Sequence, residues 1–141
     1  MKIIVAGCGR VGAYLAKVLS AKGHEVTVID KDPSAFERLG ATFNGTTIPG
    51  ALDGDILNKA GIENSDAFIS VTSSDNSNIA SAVAAKDTYG VPKVVARAYE
   101  PRRLEVCRQL GVPAVSIVAG VSDDVLSLIL DADPAGKKTS G

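Results

Sequence analysis

A chain of 141 residues holds one domain of ordinary size, which excludes a two-domain dehydrogenase within it. At 45% hydrophobic and 22% charged residues it can bury a core, and its 14 glycines exceed the ~7% usual in globular proteins. Lys and Arg total 15 against 16 Asp and Glu, a net charge of −1 without a basic run, so nucleic acid is not an expected partner.

Short apolar runs at residues 3–6, 26–29, 46–48, 67–71, 93–98 and 114–118 suit buried strands, and helix-like segments lie between them at 11–22, 33–39, 55–60, 76–89 and 101–110. Strands that are apolar throughout expect cover on both faces, which a parallel sheet flanked by helices provides. The fold class is therefore α/β: a doubly wound parallel sheet, Rossmann-like, in a single domain. Gly23, Gly40, Gly61, Gly90 and Gly111 each follow a helix-like run, where a left-handed residue ends the helix.

The first strand runs into Gly7-Cys8-Gly9-Arg10-Val11-Gly12, which opens the first helix. Gly7 permits the tight turn, Gly9 lets a pyrophosphate approach the backbone, and Gly12 allows close packing of helix on strand. The helix start offers free N–H groups and a positive dipole end. Arg10 either leans over a diphosphate or is solvated. Asp30 ends the second strand 18 residues past Gly12, near the ~20 expected of a carboxylate that takes a ribose 2′-hydroxyl. It disfavours a 2′-phosphate, while the adjacent Lys31 softens that preference for NAD over NADP. NAD, NADH, ADP and ATP all share the features this fingerprint reads.

Ligands of such sheets sit outside the carboxyl ends of the strands. After the third strand, Gly50-Ala51-Leu52-Asp53-Gly54-Asp55 either flanks an adenine or supplies turn chemistry with a helix cap. After the fourth, Thr72-Ser73-Ser74-Asp75-Asn76-Ser77-Asn78 caps a long helix and leaves backbone free to face a second ligand half. Arg97, in an otherwise apolar strand, needs an anion, either a ligand phosphate or a structural carboxylate. Residues 122–130 begin with capping residues and become apolar on nearly every side, so that helix needs more cover than one sheet offers. The boundaries expected are 1–118 for the nucleotide-binding domain, 119–133 for a connecting or dimerisation helix, and 134–141 for a disordered tail.

Catalytic groups are scarce. His24, the single histidine, falls in the turn before the second strand, at the sheet edge away from the crevice. Cys8 lies in the loop without an evident general base, Cys107 reads as a small buried residue, and metal-ligand spacings are absent. Two distant cysteines and the lack of a signal-like start suggest a cytosolic setting with free thiols. No apolar run approaches the ~20 residues of a membrane span, so a membrane role requires a partner. Hydride transfer needs a substrate pocket that a second domain normally supplies, so the chain reads as a sensor rather than an enzyme. The rivals are a small NAD(P)-dependent oxidoreductase, or a fragment of one, and a plain dimerisation module.

Residues 2–12, Ala60-Gly61-Ile62-Glu63-Asn64-Ser65-Asp66-Ala67, Val71-Thr72 and Val94-Val95-Ala96-Arg97 resemble the cytoplasmic RCK N-terminal, KTN or TrkA N-terminal domains of potassium transport and channel regulators. The resemblance implies binding of NAD(H), ADP or ATP at residues 7–12, Asp30, Thr72 and Arg97. It further implies a role peripheral to the membrane, through a potassium transporter subunit, and assembly as a homodimer or larger ring. Gly50-Ala51 departs from the family's usual Gly-Asp, so an adenine-side carboxylate is lost or comes from Asp53. Many relatives carry a second, ligand-sensing lobe after the connecting helix, so the resemblance covers the first lobe.

Overall fold

β-branched and apolar runs form six strands: β1 (Lys2–Ala6), β2 (Glu25–Asp30), β3 (Thr46–Pro49), β4 (Ala67–Ser70), β5 (Lys93–Ala98) and β6 (Ala114–Ser116). The computed structural model describes residues 1–130, so the expected tail and the last residues of the expected connecting helix lie outside them. All five pairings are parallel, in the order β3-β2-β1-β4-β5-β6. This is the expected doubly wound sheet, and its order reverses between β1 and β4, the point outside whose carboxyl ends sheets of this kind hold their ligands.

The helices are α1 (Arg10–Ala21), α2 (Gly54–Lys59), α3 (Asp75–Val83), α4 (Arg102–Gln109) and α5 (Ile117–Leu130). Ala13 and Ala16 of α1, with Ala35 and Leu39 of the turn that follows β2, cover Ile3, Val5, Val26 and Val28 on one sheet face. Leu57 of α2, Ile79 and Ala82 of α3 and Cys107 of α4 close the other face over Ile4, Ile29, Phe68 and Val94. The five glycines expected to end helices all have positive φ, from 69° at Gly90 to 93° at Gly23.

Four local features differ from the sequence expectation. Residues 33–39 form a 3-10 helix rather than an α-helix, held between the Asp32 cap and Gly40 by bonds such as Ala35 N–H to Asp32 O at 3.0 Å. The long helix at 76–89 is α-helical only to Val83 and then widens to a π turn over Ala84–Thr88, where Tyr89 N–H reaches Ala84 O at 3.1 Å. Ile117 and Val118, read as strand, begin α5. The Ser116 hydroxyl donates to Tyr99 O and accepts the Ala119 N–H at 3.1 Å, capping the helix six residues before the expected Ser122.

Finally, cover is incomplete at one end of the sheet. Register places Val5, Ile69, Val95 and, one pair along, Arg97 and Val115 on the same face. Exposure rises along it from 0% at Val5 to 36% at Val95 and 57% at Val115. The helices that cover this face, α1 and the 3-10 turn, stop short of β5 and β6. Helix α5 buries none of its residues, with Val121, Leu126 and Ile129 exposed. Among the described residues no helix is long and apolar enough to cross a membrane.

Candidate functional site

The glycine loop meets each steric demand of its sequence. Gly7 has φ 108°, and a Cβ there would lie 2.9 Å from the Val71 carbonyl and the Thr72 nitrogen. A Cβ on Gly12 would stand 1.8 Å from the Gly7 carbonyl oxygen, so only glycine lets α1 approach β1 so closely. Gly9 differs: its Cβ would meet nothing within 4 Å, because the position faces open space. Gly9 caps α1 without a side-chain bond, so the first N–H groups of the helix, at Arg10, Val11 and Gly12, have no intrahelical partner. Arg10 and Val11 are exposed at this rim.

Asp30, half-buried at the end of β2, organises the loop. One carboxylate oxygen accepts the Cys8 N–H at 2.7 Å and the other the Asp32 N–H at 2.8 Å. Each retains lone-pair capacity for a further donor. Arg38, which sequence reasoning passed over, donates to the Cys8 carbonyl at 3.3 Å and so adds a cation to the glycine loop. Its signal was its position on the turn after Asp30. Cys8 is buried, with its thiol donating to Ala35 O at 3.4 Å. Burial first, and then the Asp30 carboxylate, push that thiol upward, which keeps it protonated and unreactive.

At the end of β4 the picture shifts. Thr72, expected to offer free backbone, gives its N–H to Asn78 Oδ1 at 2.8 Å and its hydroxyl to the same oxygen at 2.6 Å. Ser73 stays exposed, while Ser74 caps α3 by accepting the Ser77 N–H at 3.2 Å. Arg97, half-buried, donates to the Thr72 carbonyl at 2.6 Å. Neither of the two ion pairs among the described residues includes it: they join Lys86 to Asp87 and Arg108 to Glu105. The structural carboxylate considered for it is thus not found among the described residues. Asp53 caps α2 by accepting the Ile56 N–H at 2.9 Å, and Leu52 packs against the core.

The structure therefore brings residues 7–12, Asp30, Thr72 and Arg97 to one carboxyl edge, on β1, β2, β4 and β5. His24 lies before β2 at the opposite edge. Burial pushes the Cys107 thiol upward too, and among the described residues no cluster of His, Cys, Asp or Glu could hold a metal ion.

Strand order, glycine loop and β2 carboxylate together define a Rossmann-type domain with a dinucleotide fingerprint. Within that class, the chain belongs to the TrkA-N domain family, whose model matches residues 3–118. It is 46% identical over 144 residues to the Trk system potassium uptake protein TrkA of Streptomyces coelicolor, a match covering 100% of this chain and 65% of that protein. The chain thus spans less than two thirds of that curated relative. Among solved structures, the TrkA-N domain of the Escherichia coli inner membrane protein ybaL superposes with a TM-score of 0.79 at 20% identity, covering 92% of this chain and 96% of that one, a likeness of fold. A GsuK channel described as bound to NAD gives a TM-score of 0.74 at 27% identity, covering 91% of this chain and 23% of the channel.

Proposed function

We propose that the crevice binds an adenine nucleotide, NAD(H), ADP or ATP, and that the domain passes nucleotide state to a membrane potassium transporter subunit. The observation that carries this reading is the start of α1, without a side-chain cap and facing open space at Gly9, at the same carboxyl edge as a guanidinium that has no carboxylate partner among the described residues. Free N–H groups, a positive helix end and Arg97 suit a chain of phosphates; the remaining acceptor capacity of Asp30 suits a ribose. The names of the relatives, a potassium uptake protein and a channel bound to NAD, support the same assignment.

A regulatory rather than catalytic role fits the chemistry. Asp30 already organises two amides, Cys8 is a buried thiol, and His24 sits at the far edge, so none of these three is poised there as an acid or base. The uncovered face at Val95 and Val115, with the apolar surface of α5, suits a second copy of the chain, as a homodimer or within a ring. Arg97 shares that face, so ligand contact and subunit contact are neighbours. A nucleotide with different affinity for two subunit arrangements shifts their populations, and with them the transporter. On this reading the protein is cytoplasmic and peripheral to the membrane.

The test is a melting-temperature panel over NAD, NADH, ADP and ATP. A ligand at 100 times its Kd stabilises the fold by about 2.7 kcal/mol, so at least one nucleotide should raise the midpoint by several degrees. No shift with any of the four would leave only a dimerisation module. Steady oxidation of NADH by a carbonyl or quinone acceptor would assign the chain to the oxidoreductases.

A further inference from the structure

Asn78 is fully buried, and its amide is bonded at every polar atom. Oδ1 accepts the Thr72 N–H at 2.8 Å, the Thr72 hydroxyl at 2.6 Å and the Ser70 hydroxyl at 3.2 Å. Nδ2 donates to the Thr72 carbonyl at 2.9 Å and to the Arg97 carbonyl at 3.0 Å. The amide orientation is fixed, because backbone carbonyls demand a donor and the Thr72 N–H an acceptor. The Arg97 guanidinium closes the ring by donating to that same Thr72 carbonyl. One side chain on α3 thereby ties the end of β4 to the end of β5.

We propose that Asn78 is a positioning residue for the far half of the crevice, holding Thr72 and Arg97 where a ligand that extends past the glycine loop meets them. The inference rests on the nucleotide reading. A ribose at Asp30 on β2 and a first phosphate at the loop after β1 use the near half. Strand β5 lies two strands from β1, about 10 Å away at ~4.8 Å per strand. Only further phosphates or a second nucleoside cross β4 to reach Arg97. Asn78 therefore governs affinity for ATP and NADH and is indifferent to AMP.

Titrations of the full chain with AMP, ATP and NADH test this, with Asn78→Ser beside Ser70→Ala. Serine is too short to bond both the Thr72 and Arg97 carbonyls. Two lost positioning bonds should weaken ATP and NADH about tenfold and AMP by less than about twofold. Ser70→Ala removes the longest of the Asn78 bonds, together with the Ser70–Ser81 hydroxyl contact at 2.8 Å, and spares both Nδ2 donors, so it should leave the ratio of ATP to AMP affinity unchanged. In the wild-type chain, the Asn78 side-chain amide resonances should move with ATP and stay fixed with AMP, a readout that holds even where Asn78→Ser does not fold. Equal losses for AMP and ATP, a ratio that Ser70→Ala changes as much, amide resonances indifferent to ATP, or ATP binding where millimolar AMP does not, would each overturn the positioning role while leaving the nucleotide reading intact. A wild-type chain that binds none of the three overturns both.

Discussion

Replacing Gly9 with aspartate should move stability and ligand binding in opposite directions. Gly9 already has the extended backbone of an N-cap, φ −77° and ψ −162°, and a Cβ there meets nothing within 4 Å. An aspartate can accept one of the free N–H groups of α1, which is worth a few tenths of a kcal/mol over glycine, and its charge complements the helix dipole by about 0.3–1 kcal/mol. The free domain should therefore gain about 0.5–1 kcal/mol and melt a few degrees higher. The same carboxylate takes an N–H meant for a phosphate and repels it. At 4 Å that repulsion costs about 1 kcal/mol in bulk water and about 4 kcal/mol near a protein surface, or roughly fivefold to a thousandfold in affinity.

Thermal melts with and without ADP, paired with calorimetry, read both effects. The expected result is a raised midpoint without nucleotide and a ligand-induced shift that shrinks or disappears. Gly12→Ala is the contrast, since its Cβ meets the Gly7 carbonyl oxygen at 1.8 Å. Crowding of that kind costs about 1–3 kcal/mol of stability. Undiminished ADP binding by Gly9→Asp would refute the placement of phosphate at the start of α1. A midpoint several degrees below wild type would refute the claim that Gly9 faces open space.

Arg97→Met removes a guanidinium whose one bond among the described residues is to the Thr72 carbonyl. Calorimetry should show ATP affinity falling about tenfold or more, since bonds to charged groups are worth about 1.5–3 kcal/mol, while the free domain loses no more than its one such bond to the Thr72 carbonyl, which Asn78 still satisfies. Both thiols are held upward by burial, so the unfolded chain releases their protons first. The resulting stability is complete below about pH 8.5 and declines above it, toward the raised folded values. Urea unfolding at pH 8 and pH 10 should show this loss, and a Cys8→Ala/Cys107→Ala variant should flatten it. Val115→Glu places a charge on the uncovered sheet face, and sedimentation velocity should show self-association weakened while ADP still produces its melting shift.

How much was legible in the sequence depended on whether a residue acts through backbone geometry or through distant partners. Gly7 and Gly12 declare themselves because only glycine satisfies the steric demands of the fold there, Gly9 because it completes their spacing, and Asp30 because the strand that ends there is plainly apolar. Asn78 was hidden within an ordinary helix start. Its importance comes from Thr72 and Arg97, brought to it by β4 and β5 pairing, and no local pattern encodes that contact. Arg38 was missed for a similar reason, since its partner is a backbone carbonyl in the loop. Ile117 and Val118 favour a strand by composition, yet Ser116 turns the chain into α5 by capping it. Uniformly apolar strands also overstated the cover on β5 and β6, because an apolar side chain reads the same whether its own helix or a second molecule shields it.

On the proposed reading, the crevice has an electrical direction. Asp30 marks the β2 side and the start of α1 and Arg97 supply positive groups along the edge, while the Asp75 carboxylate past the end of β5 is taken up by the Tyr99 N–H. A ligand with a neutral sugar and an anionic chain fits one way round, with the sugar hydroxyls at Asp30 and the phosphates toward Arg97. Reversal would bring phosphate against carboxylate at a cost of the same order as the Gly9→Asp repulsion. Arg97 lies on the same sheet face as Val95 and Val115, one pair from the exposed edge. A ligand long enough to reach it therefore ends beside the surface that a second subunit would cover, and one that stops at the glycine loop does not. On that reading, reach across β4 is what would couple nucleotide to assembly.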